Sequence, residues 1–139
     1  MNKKNNIEHT LSIIKPDAVE RNLTDEIKNI FLRNKFTIKD SKKIHINKDE
    51  AAEFYKVHQS KPFYNDLCSY LSSGPIVVLI LERENAVIEN RNLMGATNPK
   101  DAKENTIRKL YGISIDKNSV HGSDSIENAK KEIDFFFKN

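Results

Sequence analysis

The 139-residue sequence has little of the chemistry on which secreted and metal-binding proteins depend. It contains one cysteine, Cys68, so it can form neither an internal disulfide nor a cysteine-based zinc site. Its longest unbroken apolar run, Ile76 to Leu81, is much too short to cross a membrane. The first six residues include two lysines with no apolar stretch behind them, unlike a secretory signal. These absences predict a cytoplasmic protein.

Glycine is also scarce, and its spacing excludes two common phosphate-binding loops. The four glycines are Gly74, Gly95, Gly112 and Gly122. They fit neither the GxGxxG spacing of a dinucleotide-binding fold nor the GxxxxGK[ST] spacing of a P-loop. A site of either kind is therefore excluded.

The composition suits one well-charged globular domain. Hydrophobic residues make up 37% of the chain and charged residues 31%. We predict a single domain over residues 1–139. The net charge of +3 is mild and argues only weakly for an anionic partner.

Strand-like and helix-like segments alternate along the chain. Strands are expected over 9–15, 36–46 and 76–81, with a short candidate at Ile113 and Ile115. Helices are expected over 24–34, from Asn47 and Pro62 onwards, over about 84–94, and from Asp124 towards the carboxyl end. This order favours an α+β fold with a ferredoxin-like split βαβ arrangement, in which helices cover one antiparallel sheet.

Helix starts are marked by polar capping residues. Thr24 and Asp124 are expected to cap their helices, and Asn47 with Glu50 predicts a capping box. The last helix has the clearest apolar stripe, made of Ile126, Ala129, Ile133, Phe136 and Phe137.

His121 is the first candidate for chemistry. It lies next to Gly122, which leaves room for a ligand, and shortly before a predicted helix start, whose free amides suit an anion. A neutral imidazole is a usable nucleophile or base. A turn histidine without a chemical role fits the same pattern, so both interpretations stay open.

Three cations could contact phosphates. Lys15 ends a strand, which is a rigid place for one ammonium group. Arg91 and Arg108 flank a polar loop and could bind adjacent phosphates in a bidentate manner. All three could equally be solvated surface residues.

Three further residues are more ambiguous. Tyr55 and Phe63 could clamp a base or sugar, although aromatic residues at helical spacing more often belong to a core. Glu132 would lie about 16 Å along the chain from His121 if every intervening residue were helical. Contact between them requires the strand to run back alongside the helix.

Six motifs, in order, resemble the nucleoside diphosphate kinase family. The most specific is Asn118-Ser-Val-His-Gly-Ser-Asp-Ser125, which is similar to the active-site signature of that family. The others are Ile14-Lys-Pro-Asp17, Lys61-Pro-Phe63, Ser73-Gly-Pro75, Met94-Gly-Ala-Thr-Asn-Pro99 and Thr106-Ile-Arg108. The resemblance extends from about Thr10 to Phe137.

The resemblance implies an enzyme, a phosphotransferase that acts by a ping-pong mechanism. His121 would take the γ-phosphate of a nucleoside triphosphate, typically ATP, and pass it from a phosphohistidine to a nucleoside or deoxynucleoside diphosphate. Mg²⁺ would be held mainly by the nucleotide phosphates, with no metal site of the protein's own. The resemblance also implies a homo-oligomer, either a hexamer or a tetramer.

The resemblance assigns a role to each matching residue. Glu132 and Ser123 would orient the His121 ring, and Lys15 and Tyr55 would support the transferring phosphate. The nucleotide-binding residues would be Lys15, Phe63, Arg91, Thr97, Arg108, Ile115 and Asn118, with Phe63 and Ile115 on the two faces of the base and Asn118 on the ribose. Stacking ignores base identity, which fits broad nucleotide acceptance.

Three positions depart from the family pattern. Ala18, Asn22 and Asp25 stand where glycine is common, and none of them removes a chemical group. Two other functions fit the sequence less well. A nucleic-acid-binding sheet would need exposed aromatics in an RNP-like pattern, which is not visible. A catalytically inactive family member would be expected to lack His121 or Lys15, and both are present.

Overall fold

The computed structural model describes residues 7–115 and 117–137. Its strands are Ile7–Ile14 (β1), Thr37–Ile44 (β2), Ile76–Glu84 (β3) and Val120–Gly122 (β4). Its α-helices are Pro16–Glu20 (α1), Thr24–Arg33 (α2), Lys48–Phe54 (α3), Tyr64–Leu71 (α4), Ala86–Met94 (α5), Ile107–Tyr111 (α6) and Ile126–Phe137 (α7). Short 3₁₀ helices cover Lys56–His58 and Pro99–Asp101. The first six residues, whose sequence is unlike a secretory signal, lie outside the described residues.

The strands form one antiparallel sheet in the order β2-β3-β1-β4. The apolar β3 is an interior strand, as its sequence predicted. The order and the antiparallel pairing confirm the α+β, ferredoxin-like fold. In the described part of the chain, β4 is an edge strand of three residues that pairs only with β1.

Helices cover both faces of this sheet, so there are two cores. The first core lies under α2 and α5 and contains Phe31, Leu79 and Met94. The second core lies under α3, α4 and α7 and contains Leu11 and Ile13. Successive strand residues point to opposite faces, so the central strands β1 and β3 each supply buried residues to both cores.

One predicted cap is confirmed and two are wrong. The Asn47 side chain accepts from the Glu50 backbone N–H at 2.8 Å, and the Glu50 carboxylate accepts from the Asn47 N–H at 2.9 Å. At α7 the Ser125 hydroxyl accepts from the Asn128 N–H at 3.0 Å, because Asp124 is engaged by the Asn128 side-chain amide. Helix α2 begins at Thr24 itself, after Leu23 and without a side-chain cap.

Four segments differ from the sequence-based expectation. Two short helices, α1 and α6, and the three-residue strand β4 were not predicted. Pro16 ends the strand, but its fixed φ also suits the first position of a helix. The strand expected at Ile113 and Ile115 is wrong: both side chains are more than half exposed, and the Ile113 and Ser114 N–H groups donate to the Lys117 carbonyl. These two N–H groups are therefore not available to pair with the sheet.

Further details of the pattern follow from packing. Ile126 is half exposed, so the buried stripe of α7 begins at Ala129.

Asn22 has a φ of +62°, which explains why a residue tolerant of the left-handed region, glycine or asparagine, suits this position. Ala18 is fully buried in the first core, and Asp25 lies in the first turn of α2.

Candidate active site

His121 lies in the middle of β4 with its side chain on the second-core face. It is the direct partner of Ile13 in β1, and directly paired residues point to the same face of a sheet. Because Ile13 belongs to the second core, the imidazole points into the layer that holds α3 and α7. The edge position of β4 leaves this side chain at the rim of the sheet, still partly open to solvent.

A carboxylate from α7 holds the imidazole ring. The His121 Nε2 lies 3.0 Å from Glu132 Oε1, and the Ser123 hydroxyl donates to the same oxygen at 2.7 Å. The Ser123 oxygen in turn accepts from the Leu11 N–H at 3.3 Å, which ties the chain of contacts to β1. A carboxylate only accepts, so the neutral ring carries its hydrogen on Nε2 and its lone pair on Nδ1.

The contact with Glu132 comes from tertiary packing. Glu132 follows His121 by eleven residues, yet α7 turns back across the sheet and packs against β1. The strand and the helix therefore run alongside each other, the condition that the sequence left open.

One aromatic ring packs against the same imidazole and links it to a cluster of aromatic side chains. The Phe54 ring lies edge-on to it, with centroids 5.4 Å apart. Phe54 also packs against Tyr55 and Phe135, at 5.1 and 5.7 Å. Tyr55 is 7% exposed, and burial raises the pKa of its phenol, so the hydroxyl remains a donor.

Arg108 is buried and fixed by backbone carbonyls. Its Nη1 donates to Gly95 O at 3.0 Å and its Nη2 to Val120 O at 2.9 Å. Gly95 has a φ of +88°, and a Cβ there would meet the Thr106 side chain at 2.5 Å, so the carbonyl that receives Arg108 depends on glycine. The guanidinium is thus bound to the loop after α5 and to the first residue of β4.

Two guanidinium groups lie close to each other. Burial lowers the pKa of Arg108 to about 10, and the positive charge of Arg91 acts in the same direction. Arg108 remains charged at neutral pH, so two positive charges lie at the wall of one cavity, where they raise the local potential.

Three more candidates form a chain of contacts. The Lys15 ammonium donates to Asn118 Oδ1 at 2.9 Å, and the Asn118 amide donates to Thr97 O at 3.0 Å. Lys15 and Asn118 are 7% and 2% exposed. These residues come from three distant parts of the sequence and meet beside β4.

One cavity of about 470 Å³ collects part of the predicted site. Its described lining includes five of the predicted residues, His121, Glu132, Arg91, Thr97 and Arg108. Its lining does not include the other six, which are Lys15, Ser123, Tyr55, Phe63, Ile115 and Asn118. The volume is in the range of small-molecule sites.

The two residues expected to sandwich a base do not line this cavity. Phe63 is 45% exposed and Ile115 is 54% exposed. The Phe63 ring lies 6.3 Å from the His58 ring, and the Lys61 ammonium is 5.8 Å from the Phe63 centroid. Their stacking role stays a prediction.

Sequence reasoning missed several lining residues. Lys56, His58 and Phe54 come from the end of α3 and the 3₁₀ turn after it. Asn128, Lys131 and Phe135 line the cavity from α7, together with the predicted Glu132. Their i, i+3, i+4, i+7 spacing marks one helix face, a signal that was present in the sequence.

Carboxylates in the cavity are spread out. Within residues 7–115 and 117–137, no three His, Cys, Asp or Glu side chains gather as a metal site requires. Asp124 lines the cavity, and the hydrogen bond from Asn128 lowers the pKa of its carboxyl, which is therefore ionised at neutral pH.

Comparison of the sequence with a family model and with known proteins identifies the same family each time. The family model described as nucleoside diphosphate kinase matches residues 8–139. The nucleoside diphosphate kinase of Nitratiruptor sp. is 57% identical over 131 residues, covering 94% of this chain and 96% of that protein. That of Campylobacter jejuni is 55% identical over 132 residues, covering 95% of this chain and 96% of the relative.

Solved structures agree with the sequence relatives. The nucleoside diphosphate kinase of Aquifex aeolicus superimposes with a TM-score of 0.93 at 39% identity, covering 96% of both chains. That of Encephalitozoon cuniculi gives a TM-score of 0.91 at 35% identity, covering 95% of this chain and 90% of the other.

Proposed function

The chain belongs to the nucleoside diphosphate kinase family and transfers phosphoryl groups between nucleoside triphosphates and diphosphates, and we propose that it does so through a phosphohistidine on His121. In the first half-reaction Nδ1 attacks the γ-phosphorus of the donor, typically ATP. The bond from that phosphorus to the bridging oxygen breaks, and the diphosphate leaves with the oxygen. In the second, a terminal oxygen of the acceptor diphosphate attacks the phosphorus, and the electron pair of the N–P bond returns to Nδ1.

The observation that carries this proposal is the Glu132–His121 contact at the cavity wall. The Glu132 carboxylate accepts a hydrogen bond from the Nε2–H group of His121 at 3.0 Å. The lone pair of the neutral ring is therefore on Nδ1. The same contact stabilises the positive charge that the ring gains as it attacks. The Ser123 hydroxyl donates a hydrogen bond to Glu132 Oε1 at 2.7 Å and so holds the carboxylate in place.

The nearby cations support binding of the transferring phosphates. Arg91 and Arg108 line the cavity, and the Arg108 guanidinium is already fixed by two carbonyls, so little side-chain entropy is lost on binding. Lys15 and Thr97 meet through Asn118. We assign Lys15 and the Tyr55 hydroxyl to the transferring phosphoryl group, and Arg91, Thr97 and Arg108 to the phosphates.

The remaining contacts concern the nucleoside. We assign Asn118 to the ribose, and Phe63 and Ile115 to the two faces of the base. Both apolar side chains are exposed and available for stacking. Because every base has a π face, this mode of binding accepts purines and pyrimidines alike.

We propose that Mg²⁺ enters the site bound to the phosphates of the nucleotide. The Asp124 carboxylate lines the cavity, is ionised and makes no hydrogen bond to His121, which suits contact with the water shell of the ion. Bound to the phosphates, Mg²⁺ would neutralise charge that develops during transfer.

We further infer a homo-oligomer, a hexamer or a tetramer, in the cytoplasm. Two large apolar side chains, Leu110 in α6 and Ile113 just after it, are more than half exposed, which supports burial against another subunit. Cys68 is a free thiol, as in a reducing compartment. Among the described helices none is long and apolar enough to span a membrane.

The proposal is tested by brief incubation with γ-labelled ATP and Mg²⁺, followed by a chase with unlabelled GDP. Acid-labile, base-stable label is expected on the protein and then in GTP. His121→Ala should abolish both while nucleotide binding is retained, and His9→Ala, at an exposed position in β1, is the matched control. Label that persists on His121→Ala would reject the assigned nucleophile.

A further inference from the structure

A second cluster of hydrogen bonds lies beside the site and centres on Asp17. Its side chain is 4% exposed and accepts three hydrogen bonds. Tyr70 donates to Oδ1, while Arg21 and Ser119 donate to Oδ2 at 3.1 and 3.3 Å. Burial and the bond to Asp17 raise the pKa of the Tyr70 phenol, so it remains the donor.

The cluster joins segments that are far apart in the sequence. The Tyr70 oxygen accepts from the Asp17 N–H at 2.9 Å, which anchors α4 to the first turn of α1. Arg21 Nη2 also donates to the Tyr111 carbonyl at 2.6 Å, which brings in α6. One carboxylate thus connects α1, α4 and the segment before β4.

Ser119 links this cluster to the catalytic groups. It lies between Asn118, which receives the Lys15 ammonium, and β4, which carries His121. Its carbonyl accepts from the Lys15 N–H at 2.8 Å. Its φ of +76° is in the left-handed region, which a serine keeps only when its surroundings hold it there.

We propose that Asp17 is a positioning residue: with Tyr70 it fixes the Ser119 turn and so sets the relative placement of Lys15, Asn118 and His121 for phosphoryl transfer. The inference rests on the proposed function, since it concerns the same phosphohistidine. Asp17 touches none of the reacting atoms, so it acts on the rate of transfer through the turn. If the role of Asp17 were purely structural, replacing it would lower the stability of the protein and leave the transfer rate of the folded protein unchanged.

Two variants separate these roles. Tyr70→Phe removes one hydroxyl that both donates to Asp17 and accepts from its N–H. Asp17→Asn keeps the shape and removes the charge that faces Arg21. Tyr64→Phe is the matched control, because it removes a hydroxyl from the same helix that donates to Ala52 O at 3.0 Å, outside the cluster.

The test measures the rate of protein phosphorylation at saturating Mg·ATP in a single turnover, the Kd for ADP, and the Tm. We expect both cluster variants, assayed well below their Tm, to be phosphorylated about tenfold or more slowly, as small misplacements of reacting groups produce. The ADP Kd should change much less, and Tyr64→Phe should keep the parental rate. If both cluster variants are phosphorylated at the parental rate and only their Tm is lowered, this inference is overturned while the proposed function stands. A parent protein that takes no label would overturn the proposed function and this inference with it.

Discussion

The phosphate end and the base end of the proposed site are built very differently. At the phosphate end Arg108 is 8% exposed and Lys15 7%, and each is hydrogen-bonded to the protein. At the base end Phe63 and Ile115 are about half exposed. The first is organised before any ligand binds, and the second is an open pair of apolar surfaces.

This difference matches what each end has to do. Charge that develops on a phosphoryl group is stabilised best by groups that need not reorganise during the reaction. A base that is held by stacking needs only apolar area, and loose contacts accept different ring sizes. Substitutions at the phosphate end should therefore act on kcat, and substitutions at the base end on KM.

Arg108→Ala should have the largest effect among substitutions that leave the His121 nucleophile in place. It removes a charge fixed by two carbonyls at the proposed phosphate site, and loss of one such donor costs about 10² to 10³ in kcat. Steady-state kinetics checks this, with Arg33→Ala, at the exposed end of α2, as the control. A kcat/KM equal to that of the parent would remove Arg108 from phosphate binding.

Glu132→Gln should slow phosphorylation by about 10- to 100-fold, within the usual range for acid–base and orienting groups. The amide can still face Nε2, but it no longer stabilises a positive ring, and its NH₂ group competes for the ring nitrogen. Single-turnover labelling measures the change, and the exposed Glu127→Gln is the control. Equal rates would show that the 3.0 Å contact does not serve the reaction.

Gly95→Ala tests whether the position of the Gly95 carbonyl, which accepts from Arg108, is needed for stability and for kcat. An added Cβ would meet Thr106 at 2.5 Å in a backbone of positive φ, so stability should fall by about 2 kcal/mol and kcat should fall with it. Gly74→Ala is the matched control, because its Cβ would lie at 3.6 Å from Pro16. Denaturant unfolding compares the two. Equal stabilities would mean that the loop after α5 adapts freely.

Phe63→Ala should have the smallest effect and a different signature. Loss of one stacking surface costs about 1 kcal/mol of binding where the ring is half exposed, so KM should rise about fivefold for purine and pyrimidine diphosphates alike, with kcat little changed. Leu32→Ala, at an exposed position in α2, is the control. A rise confined to one base would show that Phe63 reads base identity.

Sequence patterns predicted the three long strands and the main helices well, because long apolar stripes report burial directly, but they did not predict the three-residue strand β4. The buried β3 and the capping box at Asn47 are examples. The patterns failed where the local signal was short. Ile113 and Ile115 alternate like a strand yet lie in an exposed loop, and Pro16 signals a strand end but equally a helix start.

The candidate site depended on more than local pattern. Motif spacing identified His121 and the arginines, but no periodicity places Glu132 beside His121, since that contact arises from the return of α7 over the sheet. The Asp17 cluster likewise joins residues 53 and 102 positions apart. Such contacts are set by the fold as a whole.

The most direct test of the account is which imidazole nitrogen of His121 carries the phosphoryl group. Phosphorus and nitrogen NMR of the phosphorylated protein distinguishes the two. With Nε2 held by Glu132, the phosphate is expected on Nδ1, and Glu132→Gln should form the same product more slowly. Phosphate on Nε2 would contradict the orientation of the nucleophile on which the mechanism rests.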